Sequence, residues 1–206
     1  IADSTSEVTQ GIYESSISTL LAWGGTGNIH YSTNNGTSWT RKALPLYTLV
    51  GPGGAREGVP STIQGLRFIP QINKFIATSV ITNTLGGSFS GQSFVGVLYS
   101  SDGINWTTCD TYELNQKLIF LGAGFFDIGV PIYSNAHKAI LVPISKILSS
   151  TGETKVIMAK SLDGVSWGTT SVIVGSNPVN PLSILRTSPM IEKSDFTLIS
   201  YGYDTQ

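Results

Sequence analysis

Residues 100–106 read Ser100-Ser101-Asp102-Gly103-Ile104-Asn105-Trp106, and two relatives of this stretch stand elsewhere in the chain. The upstream copy is Ser32-Thr33-Asn34-Asn35-Gly36-Thr37-Ser38-Trp39, and the downstream copy is Ser161-Leu162-Asp163-Gly164-Val165-Ser166-Trp167. The tryptophans at 39, 106 and 167 are separated by 67 and 61 residues. That interval is too long for a helical solenoid and suits one four-stranded sheet with its loops. Each copy follows a short strand-like run, Ile29-His30-Tyr31, Val97-Leu98-Tyr99 or Met158-Ala159-Lys160, and a further strand is expected to begin near each Trp. A carboxylate or amide two residues after the Ser can accept hydrogen bonds from the N–H groups of its own turn, and Gly supplies the positive φ of a tight hairpin. The Trp can then bury a large ring against a neighbouring sheet.

This pattern resembles the Asp-box, or sialidase (BNR)-type repeat, Ser-x-Asp-x-Gly-x-Thr-Trp. The first copy has the full spacing but carries Asn34 where the family has Asp. The other two keep Asp102 and Asp163 and are one residue shorter before the Trp. The resemblance implies an all-β fold, a β-propeller of four-stranded antiparallel blades. It also implies a structural role for Ser32, Asn34, Gly36, Trp39, Ser100, Asp102, Gly103, Trp106, Ser161, Asp163, Gly164 and Trp167, because in that family the box is a folding element away from the active centre.

Taken in order, residues 1–10 form a polar lead-in and residues 11–206 a partial propeller of about three and a half blades. The blades are expected at 11–45, 63–112, 128–174 and, incomplete, 182–206. Within them the predicted strands include 11–14, 18–23, 28–32, 65–70, 74–81, 94–100, 106–112, 130–133, 138–144, 154–161 and 165–174. Leu182–Arg186 and Phe196–Tyr201 read as the first strands of a fourth blade. Asn73-Lys74-Phe75-Ile76 and His137-Lys138-Ala139-Ile140 align as corresponding segments, with Asp195-Phe196-Thr197-Leu198 as a third version. Residues 41–62 read as a long connection, and Gly51–Gly58 inside it as irregular because of its Gly and Pro content.

Composition narrows the function classes. Of 206 residues, 40% are hydrophobic and only 12% charged, enough apolar surface for a sizeable core. A formal net charge of −1 offers no electrostatic reason to expect nucleic acid or an anionic membrane, and no apolar run is long enough for a bilayer-spanning helix. A single cysteine, Cys109, excludes an internal disulfide framework. His30 and His137 have no second ligand at metal-binding spacing, and Gly51-Pro52-Gly53-Gly54 lacks the Lys-Ser/Thr of a phosphate loop, so no metal or cofactor is expected. The start at Ile1, without a basic or apolar leader, reads as a mature product or an excised piece. A neutral coat of Ser, Thr, Asn and Gly points to an extracellular or virion setting. Asn35-Gly36-Thr37 and Asn105-Trp106-Thr107 match glycosylation acceptors, both inside the repeated turns.

Binding is expected at the end of the sheets opposite the repeated turns, where the longer connections gather. Tyr47, Phe89 and Tyr112 are the candidate apolar platforms, with Arg56, Glu57 and Glu113 as polar partners. The resemblance also raises a glycoside hydrolase: Tyr112-Glu113 could act as a nucleophile pair and Asp110 or Asp127 as the acid. Against this, Arg67-Phe68-Ile69-Pro70 has one residue more than the family's Arg-Ile-Pro motif, which turns the Arg to the other side of its strand. No residue is assigned as catalytic. The blade wording is also similar to repeats of bacteriophage tail and appendage proteins and of secreted bacterial proteins. The expected function is therefore a non-catalytic recognition or structural module, a virion tail component binding host-surface glycan and meeting other virion or propeller subunits. A sialidase-like hydrolase and an assembly-factor propeller are the alternatives.

Overall fold

The structure, a computed structural model, describes residues 10–14, 18–24, 27–51, 54–58, 60–82, 93–120, 124–148, 154–174, 190–192 and 198–200. Strands β1 (Gln10–Glu14), β2 (Thr19–Trp23), β3 (Asn28–Ser32) and β4 (Thr40–Ala43) pair in chain order as the first antiparallel sheet. A hairpin of β5 (Tyr47–Gly51) and β6 (Gly54–Gly58) follows. The second sheet consists of β7 (Pro60–Ile69), β8 (Lys74–Thr82), β9 (Ser93–Ser100) and β10 (Thr107–Thr108), again neighbours in chain order. Helix α1 (Tyr112–Phe120) leads to the third sheet, in which β11 (Gly124–Ile128) and β12 (Ile132–Ser134) both pair with β13 (Ala139–Leu148), followed by β14 (Thr154–Ser161) and β15 (Gly168–Val174). A last pair, β16 (Met190–Glu192) and β17 (Leu198–Ser200), is also antiparallel. The fold is all-β, antiparallel throughout its ladders, with one α-helix among the described residues.

Several expectations are corrected. Residues 41–62 hold the β5–β6 hairpin rather than an irregular connection, with Tyr47–Gly51 paired to Gly54–Gly58 and Gly51 opposite Gly54. The strand expected over 106–112 shrinks to Thr107–Thr108, and the segment after it is helical. Asp110 Oδ1 accepts the Tyr112 N–H at the helix start, and Glu113 stands three residues after Asp110, an N-terminal signature; Leu114 and Leu118, one turn apart, are fully buried. The strand expected at 130–133 is β12, at Ile132–Ser134, and a further strand, β11, precedes it on the same partner. Between them the Gly129 N–H bonds the carbonyl of Pro143, and neither Pro131 nor Pro143 has an N–H for a continuous ladder. The expected first strand of a fourth blade, Leu182–Arg186, lies outside the described residues.

The turn serines set a common register. Leu20 pairs with Ser32, Phe75 with Ser100, and Ile140 with Ser161. Two residues before each of these, Ser18, Asn73 and Lys138 have φ of 51°, 51° and 47°. Structurally, then, Asn73 corresponds to Lys138 and Phe75 to Ile140, one residue away from the alignment read off the sequence. The left-handed residue closing the preceding turn, not residue similarity, decides the correspondence.

Two apolar clusters lie between successive sheets. Leu21, Trp23, Ile29 and Leu44 from the first sheet and its exit meet Ile63, Leu66, Phe75, Leu98 and Trp106 of the second. Ile69, Ile76, Val95, Val97 and Cys109 of the second meet Ile128, Ile140, Val142, Ile144, Ile157 and Trp167 of the third, with Leu114 and Leu118 of α1. Each of these two tryptophans packs against the sheet before its own.

Candidate functional site

The three repeated turns share one hydrogen-bond plan. Ser100 Oγ donates to Asp102 Oδ1 at 2.9 Å and accepts the Gly103 N–H at 2.9 Å, while Asp102 Oδ1 accepts the N–H groups of Ile104 and Asn105 at 2.8 and 2.7 Å. Partial burial works to raise the Asp102 pKa, but these donors and the Asn105 amide outweigh it and bring it down to about 2. Asp163 repeats the arrangement with the N–H groups of Val165 and Ser166, which hold its pKa below the usual carboxylate range. In the first turn Asn34 Oδ1 takes the carboxylate's place, accepting from Ser32 Oγ and the Ser38 N–H, both at 2.9 Å. The additional Asn34 amide donor goes to Ser38 Oγ at 2.8 Å, an acceptor that the longer turn supplies.

The turns also bind sheet to sheet. A Cβ on Gly103 would lie 3.2 Å from Leu21 of the first sheet, and one on Gly164 would lie 2.9 Å from Ile76 of the second. Leu21 and Ile76 hold corresponding places in their sheets. Lys42 Nζ donates to Asn105 Oδ1 and Lys74 Nζ to the Asp163 carbonyl, both at 3.0 Å, so lysines of one sheet hold the turn of the next. At Gly36 the neighbours are Leu20 and Trp39 of its own sheet. Trp39 is correspondingly only partly buried, against 9% exposure for Trp106 and 3% for Trp167. In the second and third turns the Ser, Asp, Gly and Trp all take part in these turn and packing contacts.

Further along β9 from its own turn, the β5–β6 hairpin and α1 pack on that strand. Tyr47, expected as a ligand platform, is 1% exposed; its ring stacks edge-on with Phe94. The Tyr47 hydroxyl donates to the Cys109 carbonyl and shares a hydrogen bond with Thr111 Oγ1 at 2.7 Å. Burial pushes the phenol pKa well above its ordinary value. Gly96 makes this possible, since a Cβ there would stand 3.2 Å from the Tyr47 ring and 2.6 Å from Ile81. Beneath α1, Asn115 Nδ2 donates to the Val95 carbonyl at 2.8 Å and its Oδ1 accepts the Val95 N–H at 2.9 Å. Lys146, 2% exposed, donates from Nζ to the Leu118 carbonyl in the last turn of α1 and lies 5.0 Å from the Phe126 ring centre. Desolvation holds its pKa below the ordinary lysine value.

The other expected binding residues divide. Tyr112 packs partly buried against Tyr47, Ile81 and Phe94. Glu113 is exposed in the first turn of α1, with its carboxylate beside Gly168 of β15. Arg56 and Glu57 have backbones in β6, but their side chains, like all of Phe89, lie outside the described residues. Asp110 caps α1 and its backbone forms a bridge with Ser166, while Asp127 lies in β11 opposite Ser145 of β13. Cys109 is buried, its thiol donating to the Gly164 carbonyl at 3.1 Å, and desolvation pushes its pKa up to about 12. Among the described residues no group of three or more His, Cys, Asp or Glu could hold a metal ion. No helix among them is long and apolar enough to cross a membrane. The sequence reading missed Asn115, Thr111 and Lys146; the signal for the first two was the helix start at Asp110 with apolar residues at 114 and 118.

No protein-family model matches this sequence, and the search of curated proteins gives no match. Among solved structures, the chain is similar to an N-acetylgalactosamine deacetylase from F. plautii in complex with blood group B trisaccharide, with a TM-score of 0.45 and 13% identity, over 90% of this chain and 58% of that one. It is also similar to a luciferin-regenerating enzyme, with a TM-score of 0.29 and 9% identity, over 84% of this chain and 78% of that one. The chain thus spans less than two thirds of the first of these structures.

Proposed function

We propose that this chain is part of an Asp-box β-propeller and serves as a non-catalytic recognition module, a virion tail or appendage component that binds a cell-surface glycan at the end of the sheets opposite the repeated turns. The observation that carries the non-catalytic reading is the commitment of the candidate groups to structure. Tyr47 is sealed in the core, Asp110 caps α1 and Tyr112 packs on the hairpin, so that three of the groups named for binding or catalysis serve the fold. The propeller reading rests on the like stacking of successive sheets, in which Leu21 and Ile76 cover the next turn glycine. A long, fixed scaffold with a hairpin and a helix at one end suits binding by shape and polar contact.

The test is a glycan array with the whole chain, followed by prolonged incubation with each bound glycan. The expected result is binding that survives Glu113→Gln and no release of reducing sugar. Sugar release that disappears in Glu113→Gln would overturn the reading in favour of a glycoside hydrolase.

A further inference from the structure

The three turns are not equally protected. Gly103 and Gly164 are covered by Leu21 and Ile76 of the preceding sheets, and Asp102 and Asp163 gather the surrounding N–H groups. In the second turn the Asn105 side chain is engaged at both ends: its amide nitrogen donates to Asp102 Oδ2 at 2.8 Å and its oxygen accepts from Lys42. A bulky Trp106 follows it. The first turn differs in its cover, in its free asparagine side chain and in the residue that follows that asparagine. Asn35 is exposed, has φ of 55°, and its side chain makes no hydrogen bond among the described residues. Gly36 follows it, with no neighbouring sheet within 4 Å of where a Cβ would point.

We propose that Asn35–Gly36 is a site of spontaneous backbone modification, and that Ser32 controls its rate. The Gly36 backbone nitrogen attacks the Asn35 side-chain carbonyl carbon and forms a C–N bond. Its proton passes to solvent base, and the side-chain nitrogen leaves as ammonia. Water then opens the five-membered imide at either carbonyl, giving aspartate or β-linked isoaspartate at position 35. A glycine after the asparagine leaves the attacking nitrogen unshielded by any side chain. In the folded turn, however, the Gly36 N–H donates to Ser32 Oγ at 2.9 Å, which holds that nitrogen away from the attack. The β-linked product would lengthen the main chain within the turn that seats Trp39, and either product adds a negative charge to it.

The experiment is peptide mapping by mass spectrometry of the whole chain during incubation at mildly alkaline pH. Position 35 should convert from amide to acid, with isoaspartate among the products, ahead of Asn34 and Asn105. Ser32→Ala should speed the conversion about fivefold, the effect of losing one hydrogen bond. Ser100→Ala, which removes the corresponding bond from the second turn, should leave position 35 at its original rate. Equal acceleration by both variants would show that general loosening, not Ser32, sets the rate, and conversion at Asn105 before Asn35 would also overturn the proposal.

Discussion

The side chain of Asn115 makes with the backbone of Val95 the pair of hydrogen bonds that an adjacent strand would make, donating to its carbonyl at 2.8 Å and accepting from its N–H at 2.9 Å. Strand β10 ends at Thr108, so it leaves this part of the β9 edge without a ladder partner. An amide has both a donor and an acceptor in the geometry of a peptide group, and α1 brings this one into the gap. Thr111 Oγ1 adds a second donor to the Val95 carbonyl and meets the Tyr47 hydroxyl, which joins helix, hairpin and sheet in one buried network. Replacing Asn115 with Leu should strand the Val95 N–H and cost about 2–3 kcal/mol. The denaturation midpoint of the variant measures it, and a loss within error of zero would remove Asn115 from this role.

The tryptophans should separate by neighbourhood rather than by motif. Trp106→Ala and Trp167→Ala each open a cavity between two sheets and should cost about 3–5 kcal/mol. Trp39→Ala, at a ring already partly exposed, should cost about 1–2 kcal/mol. Chemical denaturation of the three variants under one set of conditions gives the order; equal losses would mean that the turn itself, not the preceding sheet, holds the ring.

The turn carboxylates should leave a trace in the acid limb of stability. Asp102 has a lower pKa folded than unfolded, so the unfolded chain binds more protons and stability falls as pH drops. The contribution is complete above the ordinary aspartate value of about 4 and fades as pH approaches about 2. Because the carboxylate is largely solvated, the effect is modest and sensitive to salt. Asp102→Asn, which imitates Asn34, should flatten this part of the profile. Denaturation midpoints of both proteins across that range provide the check, and parallel profiles would count against the assignment.

His30 stands where the other sheets have Leu98 and Ala159, two residues before the turn serine. It is 4% exposed and its Nε2 has no hydrogen-bond partner among the described residues. His30→Leu should therefore stabilise the chain by about 1 kcal/mol, since it removes an unsatisfied buried nitrogen and keeps the volume apolar. A raised melting temperature is the expected readout. A lowered one would mean that the imidazole makes a contact worth more than the nitrogen it leaves unpaired.

Local chemistry made much of this architecture legible. Ser, Asp or Asn, Gly and Trp at short fixed spacing carry their own turn, because the side-chain oxygen and the glycine φ act within a few residues. The strands at 28–32, 94–100 and 154–161 lead directly into those turns and are placed by them. What the sequence by itself left undecided depends on partners distant along the chain. Gly and Pro near 51–54 read as a break in structure until β5 and β6 are seen to pair across them. Tyr47 and Tyr112 look like surface platforms until Gly96 admits the first ring to the core and Phe94 and Ile81 receive both. Helix α1 forms just beyond the strand expected over 106–112 because its cap at Asp110, its apolar pair Leu114 and Leu118, and the open edge at Val95 act together. Only the tertiary structure decided that Trp106 and Trp167 are enclosed while Trp39 is not, since enclosure depends on the sheet that stands in front of each turn and not on the motif.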